Sequence, residues 1–421
     1  KDIRRWDTPS KVNGSAIFGT DVELPGMLYG TVKHCNYCGG KIKNVDDSKT
    51  KEIPGVIAVI PLEDQVIVVA DSTWTAMRGA EKLKMDTTGG DNSLNDKYIF
   101  KQFKTDSAQE GVLVAQRGDS ISAMSKAEKK VEMEYLSPMQ AHAAMEPLCA
   151  TASVTPEGCE IWAPTQSSDF ATMMAMGVTK LPPEKIKVQT TYLGGGFGRK
   201  VEYDFLLAPL VASKALGKPV KITWTREEDT RNDFFRPPFM INMQFGLDSS
   251  GFPDGLKVKL VGPAVSRRWQ MPPPWLEENG YDWVVTIGMF DGYNLPNQKP
   301  DSSKSYSIPN LKVDFVPSDI KVPTGAWRSI GTSHNIFALE SGLDEVAVTG
   351  GNDPFELRGK LLSHNSRAIE VLDRAAELSG WGNPSEGRFL GMAYTDYLET
   401  YQVQVAEISV SQRGTVTVHK V

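Results

Sequence analysis

Ile186-Lys187-Val188-Gln189-Thr190-Thr191-Tyr192-Leu193-Gly194-Gly195-Gly196-Phe197-Gly198-Arg199-Lys200 is the stretch on which the reading of this 421-residue chain turns. Its first part alternates β-branched and polar residues, the pattern of a half-buried strand. Glycine then takes every position from Gly194 to Gly198 except Phe197. Glycine has no Cβ, so it accepts positive φ and lets a ligand touch bare main chain, at a cost in folding entropy. The lone Phe197 can present its ring or its amide to such a ligand. Taken alone, the glycines fit a tight structural turn equally well. The spacing is neither the dinucleotide-binding G-x-G-x-x-G nor a P-loop, which would end in Gly-Lys-Ser/Thr.

Composition bounds the rest. Apolar residues make up 40% and charged residues 23%, an ordinary globular balance, and the length suits two to four domains. A formal charge of −6 without a basic block argues against nucleic acid as a partner. No apolar run reaches the roughly 18 residues that span a bilayer. The 4 cysteines are too few for a disulfide scaffold. Cys35-Asn36-Tyr37-Cys38 follows His34 and admits a zinc or redox reading, but no second pair matches it, so ordinary thiols are expected.

Along the chain, strands are expected at Leu28–Val32, Val56–Ile60 and Val66–Ala70, and a helix capped by Asp71 or Ser72 at Thr73–Leu83. The polar residues 87–110 read as a linker. Beyond it come a strand at Cys159–Ala163, a helix at Ser168–Gly177, the glycine turn, a helix at Glu202–Gly217, and strands at Val220–Trp224 and Phe239–Leu247. Residues 263–306, with Pro272-Pro273-Pro274 and many aromatics, read as a long irregular segment, a binding wall or partner contact. Helices are expected at Ile336–Gly350, after Asp353-Pro354, and at Ile369–Leu378. Two strands close the sequence, Gln402–Val410 and Thr415–Val421. A start at Lys1 and an end inside a strand pattern are expected of a piece of a longer polypeptide.

Several segments together resemble a known family. Asp7-Thr8-Pro9-Ser10-Lys11-Val12-Asn13-Gly14 with Leu24-Pro25-Gly26-Met27-Leu28, then Ala144-Met145-Glu146-Pro147-Leu148, Trp162-Ala163-Pro164-Thr165-Gln166, Gly194 to Gly198, and Gly325-Ala326-Trp327-Arg328-Ser329-Ile330-Gly331 occur in the order found in molybdopterin-binding large subunits of the xanthine oxidase and aldehyde oxidoreductase superfamily. The isoquinoline 1-oxidoreductase beta-subunit branch is the most similar in pattern. The resemblance implies a mixed α+β and α/β fold. A hammerhead-like α+β domain would occupy 1–86, a linker 87–110, a first molybdopterin-binding region 111–262, the irregular segment 263–306, and a second molybdopterin-binding region 307–421, incomplete at its C-terminus.

The same resemblance assigns roles. Gln166 would hydrogen-bond an oxygen on molybdenum through its amide, which donates without adding charge. Gly195, Gly196, Phe197 and Gly198 would line the cofactor with backbone N–H groups, and Arg328 would sit by the pterin or the substrate channel. Plainer roles stand beside these: a surface Gln after a proline turn, and a salt-bridged structural Arg. His142, Glu146 and Val201 are candidates for the substrate pocket, although Glu146 serves equally well as a cap and His142 as a satisfied core residue. Purine-oxidising relatives carry a carboxylate where Val201 stands, with Glu202 one position on, which points instead to an aldehyde or aromatic N-heterocycle as substrate. The family's general-base Glu is expected beyond Val421, so no catalytic residue and no direct metal ligand are assigned in this chain.

The implied activity is oxidation with water-derived oxygen at a molybdenum-bearing pterin, expected as the cytosine dinucleotide. The chain lacks cysteines spaced for iron–sulfur clusters, so a small [2Fe-2S] partner subunit is implied, with a membrane or cytochrome electron acceptor and a periplasmic location. The rival reading is a cofactor-free structural or binding fragment whose glycine turn is only a fold constraint. A zinc protein built on His34, Cys35 and Cys38 is a weaker third.

Overall fold

The computed structural model describes residues 3–266, 282–289, 306–397 and 400–421. Pro272-Pro273-Pro274 and most of the 263–306 segment lie outside them. The described chain forms two compact units, each assembled from separated segments. The first takes Lys1–Leu94, Gln140–Arg236 and Lys321–Arg328, and the second takes Asn95–Met139, Pro237–Ile320 and Ser329–Val421. The linear partition that the resemblance implies does not anticipate this interleaving. Its cause is pairing between distant strands, as where Leu28–Gly30 runs parallel to Val220–Ile222.

The first unit is built on a seven-stranded mixed sheet in the order Ile186–Thr190, Cys159–Ala163, Cys149–Val154, Val220–Thr223, Leu28–His34, Gln65–Ala70, Val56–Pro61. The run Val66-Ile67-Val68-Val69 is apolar throughout because both faces of its strand are covered. Val66 and Val68 pack with Ala80 and Leu83 of the adjoining helical segment. Ile67 and Val69 join the larger core of Leu148, Ile161, Phe205, Leu210, Val220 and Trp224. The helix Thr73–Lys82 starts where expected, with the Ser72 hydroxyl accepting from the Thr75 N–H. Helices Ser168–Thr179 and Leu207–Leu216 contribute to the second core. The expected helix at 202–217 is shorter: 3-10 turns at Arg199–Val201 and Asp204–Leu206 precede it. A two-stranded sheet pairs Gly40–Asp46 with Lys84–Gly89.

The second unit holds a five-stranded sheet in the order Val112–Arg117, Asn310–Pro317, Pro253–Gly262, Phe239–Leu247, Lys129–Ser137. The helix Thr332–Gly350 and the helix Pro354–Leu361, opened by Asp353 and Pro354, contribute to its core. The expected terminal hairpin forms from Thr400–Val410 and Val416–Lys420, and Phe389–Tyr397 adds a third strand. Residues 87–110 are not the expected linker. They include the helix Asp96–Asp106, whose Asn95 side chain accepts from the Tyr98 N–H. Ile99 and Phe103, one turn apart, bury against Met240, Val261 and Val316. The short aromatic interruption at Tyr98 to Phe103 within the polar run is this buried face. Among the described residues no helix is long and apolar enough to cross a membrane.

Ile67 is 0% exposed and Ile57 49% exposed. Ile67→Ala is expected to lower the unfolding free energy by about 2–5 kcal/mol in chemical denaturation, and Ile57→Ala by no more than about 0.5 kcal/mol.

Candidate functional site

Strand pairing creates the site. Ile186–Thr190 runs parallel to Cys159–Ala163, with Thr190 opposite Ala163. Parallel strands end at the same sheet edge, so the chain leaving Ala163 (Pro164-Thr165-Gln166) and the chain leaving Thr190 (191–198) emerge side by side. The Thr191 N–H donates to the Ala163 carbonyl at 3.2 Å and the Gln166 N–H to the Lys200 carbonyl at 2.8 Å. The Gln166 side chain then turns to the glycine turn, its Oε1 accepting from the Gly198 N–H at 3.1 Å. With its oxygen engaged, the exposed Gln166 amide has its NH2 end to offer a ligand.

Two of the glycines are required by space. A Cβ at Gly194 would lie 2.4 Å from Glu146 Cβ. At Gly198, where φ is +104°, a Cβ would fall 1.8 Å from the Ala326 carbonyl oxygen. The second contact brings the 325–328 loop onto the turn. Phe197 holds the left-handed backbone region at φ +54°, a strained place for a side chain, costing on the order of 1–3 kcal/mol. Phe197 is 40% exposed. The Arg328 guanidinium lies over that ring at 5.5 Å and over Trp327 at 5.7 Å. Among the described residues no acceptor meets the backbone N–H of Gly195, Gly196 or Phe197. Gln166, the glycine turn and Arg328 thus share one neighbourhood of the first unit.

The three expected pocket residues sit differently. Glu146 is buried and braces the turn from beneath. Its Oε2 meets Lys200 Nζ at 2.7 Å and accepts from the Gly194 N–H at 3.1 Å. Its Oε1 accepts from the Thr20 N–H at 3.3 Å, and its own N–H donates to the Gly194 carbonyl. The Lys200 side chain is 0% exposed. His142 is also buried, its Nδ1 3.0 Å from Asp233 and its Nε2 3.0 Å from the Ala326 carbonyl oxygen. Arg199 reaches the same Asp233 through Nε at 2.9 Å and grips Asp204 with both terminal nitrogens. These contacts turn both side chains inward, away from the pocket expected for them. Val201 is partly buried and ends the 3-10 turn after the glycines.

Sequence reasoning missed Asp233, Lys200, Arg199 and Asp204. The Arg199-Lys200 pair directly after the glycines was the available signal, since two cations there need anions if they are buried. Asp233 has no local pattern. The zinc reading is not supported: His34 Nδ1 is engaged 2.8 Å from Glu228. Among the described residues no cluster of three or more His, Cys, Asp or Glu is arranged to hold a metal.

Comparison with known proteins gives a consistent answer. Residues 103–264 match the molybdopterin cofactor-binding domain, a span that includes Gln166 and the glycine turn. The beta subunit of isoquinoline 1-oxidoreductase from Brevundimonas diminuta is 27% identical over 97% of this chain and 52% of its own length. The molybdenum-binding subunit of an Escherichia coli aldehyde oxidoreductase is 24% identical over 98% of this chain and 60% of its own. The aldehyde oxidoreductase from Desulfovibrio desulfuricans shares the fold with a TM-score of 0.72, at 18% identity, over 99% of this chain and 52% of that one. The chain therefore spans about half the length of such relatives.

Lys200→Met would strand the buried Glu146 carboxylate, and a loss of about 3–5 kcal/mol in unfolding free energy is expected. Adding Glu146→Gln should recover much of it, because the amide still accepts from Gly194 and no unpaired charge remains. Urea denaturation of both variants measures the difference.

Proposed function

We propose that this chain, a relative of the molybdopterin-binding large subunits of the xanthine oxidase and aldehyde oxidoreductase superfamily, supplies the cofactor-facing part of a molybdenum hydroxylase. One observation carries the reading: among the described residues the site offers donors, and its carboxylates Glu146 and Asp233 are paired. Three successive backbone N–H groups, the NH2 end of Gln166 and the Arg328 guanidinium stand near one another. Glu146 and Asp233 are turned to Lys200, Arg199 and His142. A donor-lined surface with a bare-backbone cradle suits an anionic, oxygen-rich group such as a molybdenum-bearing pterin. When bound, that group supplies the redox and oxygen-transfer chemistry.

The chain's own residues bind and orient. The N–H groups of Gly195, Gly196 and Phe197 hold negative charge without reorganising, because the turn is fixed from below by Glu146 and from the side by Gln166. Gln166 adds a donor without adding charge. Phe197 presents an aromatic face under a cation, which fits a planar, electron-poor ring or an aldehyde on an aromatic ring. Val201, where purine-oxidising relatives place a carboxylate, favours such substrates over purines. We extend the proposal to the cytosine dinucleotide form of the pterin, to a small [2Fe-2S] partner subunit with a membrane or cytochrome electron acceptor, and to a periplasmic location. The resemblance supports each of these.

Metal analysis of the protein purified from cells that make the cofactor tests the reading. Near-stoichiometric molybdenum is expected, and none would leave a cofactor-free binding or structural protein. Gln166→Ala in the active enzyme should lower kcat by about 10²-fold, as removal of one preorganised donor does, and should cost no more than about 1 kcal/mol of stability.

A further inference from the structure

We infer that His142 is a positioning residue: it donates from Nε2 to the Ala326 carbonyl and so holds Arg328 over the glycine turn. The inference rests on the proposed cofactor site for its consequence at Arg328, while the tie itself is a property of this chain.

Both ring nitrogens of His142 face oxygens. Nδ1 lies 3.0 Å from each carboxylate oxygen of Asp233, and Nε2 lies 3.0 Å from Ala326 O. A carbonyl only accepts, and so does an ionised carboxylate. The ring satisfies Ala326 only when Nε2 carries a hydrogen. A bare Nε2 would aim its lone pair at the Ala326 oxygen and push the loop away. Charged groups of both signs surround the ring. Asp233 is opposite it and also accepts from the His142 N–H at 2.6 Å. Asp204 and Glu202 act on the neighbouring Arg199, which shares Asp233. Arg236 is the other nearby cation, over the far partner Trp327 at 5.5 Å, and Trp327 itself lies 6.4 Å from the imidazole.

The accepting carbonyl has no slack. On its other side stands Gly198, whose missing Cβ is what lets Ala326 O approach. Ala326 is thus pinned between His142 and the turn, and Arg328 follows two residues on. The side chains of His142 and Asp233 are 1% and 2% exposed, so neither touches a ligand on the outer surface. Ala143, next in sequence, is held at φ +46°. That strain marks a segment forced into place, with His142 tying down the 325–328 loop and Glu146 the glycine turn. One short segment, 142–146, thereby sets the spacing between the two loops that the proposed cofactor would touch.

Selective 15N-histidine NMR of the folded chain at neutral pH tests the tie directly. The sequence has 5 histidines, and the His142 signals are those lost in His142→Gln. Hydrogen on Nε2 of His142 is expected, and an Nε2 without hydrogen overturns the inference. A second test uses two variants of similar size in the complete enzyme. His142→Gln keeps a donor for Ala326 and should restore most of the turnover. His142→Leu has none and should lose roughly 10²-fold in kcat through misplacement of Arg328, with molybdenum content unchanged. Equal kcat in the two variants at equal thermal stability would refute the positioning role. If His142→Leu does not fold, the NMR result on the unaltered chain decides. Absence of molybdenum from the unaltered enzyme would count against the cofactor reading and leave the NMR test intact.

Discussion

The main chain at residue 198 touches the carbonyl of residue 326, and only glycine permits that contact. Much of the site follows from it. Because the approach is backbone to backbone, the 325–328 loop cannot slide relative to the turn without losing the fit. Arg328 is thereby delivered over Phe197, and Gln166 can accept from Gly198 on the other side. The turn tolerates a strained Phe197 because its neighbours are fixed independently: Gly194 by Glu146, Gly198 by Gln166 and Ala326.

Fixing the turn requires charge in a dry place, and the structure handles this by pairing. Burial works against the charge on Arg199, and the carboxylates of Asp204, Asp233 and Glu202 outweigh it, so its pKa lies above the ordinary arginine value. Burial pushes the Asp229 carboxyl up, with Arg226 and Arg199 pulling the other way. Beside Glu146, burial first and the carboxylate second push the Cys149 thiol far up, which makes it an inert packing residue. Buried pairs of this kind do little for net stability compared with apolar substitutes of the same volume. Their contribution is geometric, since each charge has one place where its partner is waiting. Inward-facing carboxylates also leave the outer surface to donors, which is what an anionic ligand requires.

How much of this was legible in the sequence depended on range. The strand Ile186–Thr190, the glycine turn, the caps at Ser72 and Asp353 and the apolar run around Val66–Ala70 are local patterns, and the structure contains them. The order of motifs further along the chain placed Gln166, the glycine turn and Arg328 in one family pattern. Pairing between distant segments was not legible. His142 and Glu146 read as pocket residues because their partners, Asp233 and Lys200, are far away in sequence or carry no pattern. The helix Asp96–Asp106 was read as linker because the aromatic interruption at Tyr98 to Phe103 is short within a polar run, yet Ile99 and Phe103 bury and Phe100 packs beside them. Interleaving of the two units likewise has no signature in composition, because it depends on which strands meet.

The account rests on the backbone N–H groups of Gly195, Gly196 and Phe197 meeting an anionic pterin. Amide hydrogen exchange of the peptide containing these residues, compared between cofactor-loaded and cofactor-free protein of equal fold, measures that contact. Strong protection of the three amides on loading, with little change in the exposed strand Val416–Lys420, is the predicted result. Equal exchange in the two forms would contradict the account.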